Sequence, residues 1–95
     1  MINLVNKAAK SANVTLTNTF VPLRCETANY SSRTFVEVHV PEEAADVIEW
    51  AFSNTVSFGE KIGKGDTHTF RVGPNVDVLV RSRGASVEVL VHEGS

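Results

Sequence analysis

Apolar positions along this chain follow two rhythms. The commoner has a period of two. Val14, Leu16 and Phe20 alternate with Thr15, Thr17 and Thr19, and Val36, Val38 and Val40 alternate with Phe35, Glu37 and His39. That is the signature of half-buried strands, whose side chains point to opposite faces in turn. Alternation resumes over Leu23–Thr27 after Pro22, which predicts a strand bent or bulged at the proline. Residues 28–32 read as a loop, and the strand over 34–40 then completes a first hairpin.

The last thirty residues repeat the pattern three times, over Thr67–Val72, Val76–Arg81 and Ser86–His92, with Gly73-Pro74-Asn75 and Arg83-Gly84 as turns. A three-residue loop at 73–75 sets Phe70 opposite Val78. A two-residue turn at 83–84 sets Val80 opposite Val87 and Val78 opposite Val89. Both registers keep the valines on one face and put Arg71 across from Asp77 on the other.

The second rhythm is helical. Pro41 suits a first helical turn, where its missing N–H costs nothing, and Glu42 and Glu43 follow where a helix N-terminus favours negative charge. Ala44, Val47, Ile48, Ala51 and Phe52 then fall at i, i+3, i+4, i+7 and i+8, which predicts a helix over about 42–56 with Glu43, Asp46 and Glu49 on its far side. A weaker spacing of Ile2, Val5, Ala9 and Ala12 suggests a short helix over 2–12. The predicted fold is therefore α+β over residues 1–95: a single domain with an antiparallel-rich sheet of about five strands, order (α)ββαβββ, and the main helix packed on it.

Composition narrows the function classes. Ninety-five residues make a one-domain length, and 42% hydrophobic with 21% charged residues excludes a disordered or fibrous chain. Nine Lys+Arg against eleven Asp+Glu give a net charge of −2, which argues against direct nucleic-acid binding, since that binding draws on a cationic surplus. No run approaches the roughly 20 apolar residues of a membrane helix, and Lys7 and Lys10 interrupt the place where a signal peptide's apolar core would lie. Cys25 is the lone cysteine, so it has no internal disulfide partner and no companion for a thiolate zinc site; a reducing, cytoplasmic setting is expected. The charge is segregated: residues 41–59 hold Glu42, Glu43, Asp46 and Glu49 and no base.

Candidate chemistry is sparse. The glycine-rich stretch Gly59–Asp66 departs from a phosphate loop at each test, because three residues rather than four precede Gly63-Lys64 and Gly65 stands where Ser or Thr is needed. It reads as a flexible loop. His39, His68 and His92 lack ligand spacing, with His68 on the valine face and the other two opposite. Cys25 has no flanking nucleophile signature, and the carboxylates of a solvated helix have no cleft. No catalytic residue, cofactor or metal ligand is assigned, and the chain reads as non-enzymatic.

Surfaces remain. Trp50 beside Glu43, Asp46 and Glu49 has the composition of an interface anchor, set against the plainer reading that Trp50 widens the apolar stripe and the acids solvate the helix. Leu79 and Leu90 fall on the sheet face opposite the valines, as a small apolar patch or as core beneath residues 2–12. The expectation is a small protein–protein interaction module of the bacterial or viral accessory or inhibitor kind, occluding a partner's basic or nucleic-acid-binding surface without touching nucleic acid or membrane itself. Two alternatives stand beside it: a structural homo-oligomer such as a homodimer, built through sheet edges or the Leu79/Leu90 face, and a histidine-dependent ligand-binding protein or enzyme.

Overall fold

The computed structural model describes residues 9–95. Eight strands follow in order: β1 (Ala9–Leu16), β2 (Val21–Pro22), β3 (Phe35–His39), β4 (Ile48–Ala51), β5 (Glu60–Ile62), β6 (Thr67–Phe70), β7 (Leu79–Ser82) and β8 (Val87–Gly94). They form two four-stranded antiparallel sheets, one ordered β1-β8-β3-β6 and the other β2-β7-β4-β5. Four of the pairings are nested, β1 with β8, β2 with β7, β3 with β6 and β4 with β5. The chain is thus one long antiparallel ribbon doubled back on itself, with the β4–β5 hairpin at its apex. Two further pairings, β8 with β3 and β7 with β4, wrap the ribbon into the two sheets. This is the strand order of an eight-stranded jelly roll.

Alternation along each strand fills the space between the sheets. Leu16, Val36, Val38, Phe70, Val87, Val89 and Val91 from the first sheet meet Ile48, Ile62 and Val80 from the second, with Leu23, Val40 and Val78 from the connections, in one buried cluster. Trp50 and Phe70 reach across the gap edge to face, with ring centroids 4.9 Å apart.

Several expectations are corrected here. The class is all-β, not α+β, and the described residues hold eight strands and no helix, so none is long and apolar enough to cross a membrane. Of the proposed 2–12 helix, residues 9–12 belong to β1, and the rest lies outside the described residues. The 42–56 helix does not form. Its opening survives only as a turn, in which the Ala44 N–H donates to the Pro41 carbonyl and Asp46 Oδ1 accepts from the Val47 N–H. Over Ile48–Ala51 the chain is extended and hydrogen-bonded to a strand on each side, β5 and β7. Val47, Ile48, Trp50 and Phe52 are β-branched or aromatic, and Ser53-Asn54-Thr55 are poor helix formers, so the helical spacing of apolar residues had little propensity behind it.

The expected hairpins are corrected too. β6 and β7 lie in different sheets, as do β7 and β8, so Phe70 pairs with Val36 rather than Val78, and Val87 with Leu16 rather than Val80. The faces were legible while the neighbours were not. Val78, Val80, Val87 and Val89 still point inward, because side-chain direction follows each strand's own alternation, whereas Val76, expected on the same face, is 43% exposed.

Candidate functional site

The sequence candidates part company in this fold. Glu43 is exposed and Asp46 half-buried in the loop before β4, off any helix. Glu49 and Trp50 are consecutive residues of one strand and so face opposite ways: Trp50 joins the interior side among Phe70, His68 and Phe52, and Glu49 lies on the outer face of its sheet. No acidic helix face with a tryptophan on its flank exists. Leu79 and Leu90 also separate, since β7 and β8 belong to different sheets; each is half-buried on its own outer face, and they form no common patch.

The histidines are dispersed. His92 and His39 share the outer face of the first sheet, hydrogen-bonded at Nδ1 to the Ser11 and Thr67 hydroxyls at 2.7 and 2.8 Å, while His68 packs beside Trp50. Among the described residues no three His, Cys, Asp or Glu side chains are grouped to hold a metal.

What the fold does bring together lies at the ribbon's apex. The β4–β5 connection, residues 52–59, carries Phe52, Val56 and Phe58, exposed to 59%, 41% and 74%. These are three of the four large hydrophobic side chains exposed among the described residues, and they share one loop. Gly59 ends the loop pressed against β4, where a Cβ would overlap the Trp50 carbonyl oxygen, so this position requires glycine and fixes the loop's return path.

Beside the loop is a polar hollow of about 260 Å³ lined by Asn18, Glu49, Ser57, Phe58, Arg81, Ser82 and Arg83. The register makes it: Glu49 stands directly opposite Arg81 on β7. Glu49 is almost fully buried, and its carboxylate accepts from Arg81 Nε at 2.9 Å while lying 3.1 Å from Arg83 Nε. Arg81 also donates through Nη2 to the Ser57 carbonyl at 2.9 Å and stacks over the Phe20 ring, 4.3 Å from its centroid. A carboxylate can be buried at this depth only because two guanidiniums attend it. Ser57 and Phe58 belong to the loop and line the hollow, so the two adjoin.

A second glutamate–arginine pair, Arg33 with Glu93, sits in the interior and was not singled out by the sequence. Nη1 of Arg33 donates to Glu93 Oε2 at 2.7 Å, and both side chains are essentially without solvent exposure. Glu93 also accepts from the Cys25 and Tyr30 N–H groups, and Arg33 donates to the carbonyls of Gly73 and Val76. This latch ties residues 23–34 and 73–76 to β8. Burial alone would raise the Glu93 carboxyl, but the Cys25 N–H, the Arg33 hydrogen bond, the Tyr30 N–H and the Arg33 charge together hold it below its ordinary range. Burial first, and then the Glu93 charge, push the Cys25 thiol up to about 11.

No family model, no curated protein and no solved structure matches the chain, so its surface has to be read on its own terms.

Proposed function

We propose that this jelly roll is a non-enzymatic docking module that binds another protein through its apex loop. The observation that carries the reading is the concentration of Phe52, Val56 and Phe58, all exposed, in a single loop of the one hairpin that stays within its sheet. Scattered apolar side chains on a surface are ordinary, but three exposed ones in a single short loop beside a polar, charged hollow have the composition of an interface core. The partner surface expected from the acidic helix is not carried forward, because Glu49 is spent on Arg81 and Arg83 and Trp50 faces the interior.

The test is quantitative capture from the native cell with the wild-type chain and with the Phe52→Ser/Phe58→Ser chain side by side. A prey enriched by the first and lost with the second supports the reading; identical prey profiles from the two chains sink it.

Self-association is the second reading, and β1 is the observation behind it. This eight-residue strand pairs on one side only, with β8, among the described residues, and an unpaired long edge is a template for another strand. Light scattering that shows a monomer across a wide concentration range removes it.

A further inference from the structure

We propose that the Arg81/Arg83 hollow is a carboxylate-binding subsite that receives an acidic side chain flanked by an apolar residue on the docked partner, an inference that rests on the docking reading above. Arg81 uses Nε on Glu49 and Nη2 on the Ser57 carbonyl, whereas Arg83 engages Glu49 only through Nε, and its two terminal nitrogens make no hydrogen bond among the described residues. Arg83 is also the more exposed of the two, at 43% against 24%. A planar guanidinium held beside Glu49 by charge, with no hydrogen bond at its terminal nitrogens among the described residues, has its fork free for bidentate contact with an oxyanion.

The residues lining the hollow carry two guanidiniums and one carboxylate, a surplus of one positive charge. One incoming carboxylate balances it. A phosphate dianion would set three negative charges against two guanidiniums around an already buried Glu49. Lys61, the register partner of Glu49 on β5, is exposed, so its charge acts through solvent and is screened.

Size and rim complete the case. A hollow of about 260 Å³ is below the range of pockets that enclose drug-sized ligands but is ample for one side-chain head group. Phe58 lines it and also belongs to the exposed apolar loop, so an acidic residue seated on Arg83 places its apolar neighbour on Phe58. Charge and apolar contact are therefore offered at adjoining points of one surface.

The experiment uses isotopically labelled full-length chain titrated with sodium hexanoate, inorganic phosphate and hexanol, following the Nε–H signals of Arg81 and Arg83 and the amides of Ser57 and Phe58. Hexanoate should give saturable shifts confined to these groups, binding more tightly than phosphate, with no matching response to hexanol. Arg83→Ala should weaken hexanoate roughly tenfold while the rest of the spectrum stays in place, since one charge-assisted contact is removed. Phe58→Ala should weaken hexanoate but leave binding of acetate, titrated as a fourth probe, unchanged, which keeps a readout if Arg83→Ala perturbs the fold. No saturable shift in the folded wild type, an affinity unaltered by Arg83→Ala, or phosphate binding more tightly than hexanoate would each overturn the assignment. Partner capture that survives Arg83→Ala but not Phe52→Ser/Phe58→Ser overturns the subsite alone; hexanoate binding with capture unchanged in both variants overturns the docking reading alone.

Discussion

Two glutamate–arginine sites in this small sandwich have the same chemistry and opposite character. At Arg33–Glu93 both partners are sealed inside, and Glu93 collects two backbone N–H groups besides the guanidinium. At Glu49 the carboxylate is buried but its arginines are not, and Arg83 keeps part of its fork in water. The difference shows when an ion pair is structure and when it is surface. A sealed pair has repaid its desolvation with internal hydrogen bonds and has nothing left to offer a ligand. A half-open pair holds a guanidinium in place while leaving donors to spend.

The contrast can be broken most forcefully at the sealed site. Arg33→Met leaves Glu93 buried and uncompensated and should cost about 3–5 kcal/mol in urea unfolding. Arg33→Met/Glu93→Leu should recover most of that loss, as two apolar groups need no partners; a double variant as unstable as the single one would show that the latch acts through more than its charges. The same site shapes acid stability. The Glu93 pKa is lower in the folded than in the unfolded chain, so its contribution is fully present above the unfolded value of about 4.3 and is lost as pH falls through the depressed folded value. Glu93→Gln should flatten this acid limb in unfolding curves measured across pH.

The next effect is kinetic. With its thiol raised to about 11, Cys25 should react with iodoacetamide at pH 8 roughly a hundredfold more slowly than a free cysteine, because the thiolate is the nucleophile. Glu93→Gln should speed the labelling by removing the neighbouring negative charge.

The open site should respond more mildly. Glu49→Gln, which leaves Arg81 and Arg83 a route to solvent, should cost about 1–2 kcal/mol, measurably less than Arg33→Met. Equal losses at the two sites would erase the comparison. Smallest of all, Phe58→Ser should leave stability within about 0.5 kcal/mol of wild type, since its ring is 74% exposed, while adding Phe52→Ser should cost about 1 kcal/mol more through its edge contact with Trp50. A larger loss would mean that the loop belongs to the core rather than to a partner.

Much of the interior was legible before the fold was known. Val36, Val38, Val40, Val78, Val80, Val87, Val89 and Val91 are all buried, as their alternation requires. Partner choice was not, because alternation constrains which face a residue takes and is silent on which strand lies beside it. The segment 42–56 misled because Ala44, Val47, Ile48, Ala51 and Phe52 satisfy a helical spacing, while Ile48 and Trp50 also satisfy a strand's. Propensity at Val47, Ile48 and Trp50 was the available signal for the strand. The apex site was hidden more deeply: Arg83 read only as part of a turn, and its meeting, with Arg81, at Glu49 depends on β4 pairing with β7, some thirty residues away in the chain. Arg33 and Glu93, sixty positions apart, gave no local sign of each other.

The sequence by itself determined the two-residue rhythm, and with it the inward valines and the outward polar rows, because side-chain direction in an extended chain is a local property. It also determined the glycine at position 59 and the apolar content of residues 52–58. Only the tertiary structure decided that Ile48–Ala51 is a strand, that consecutive strands cross between sheets, and that Glu49 meets Arg81 and Arg83. Those outcomes turn on long-range pairing, in which backbone hydrogen bonds and burial gained across the ribbon outweigh the weak local preference of any one segment.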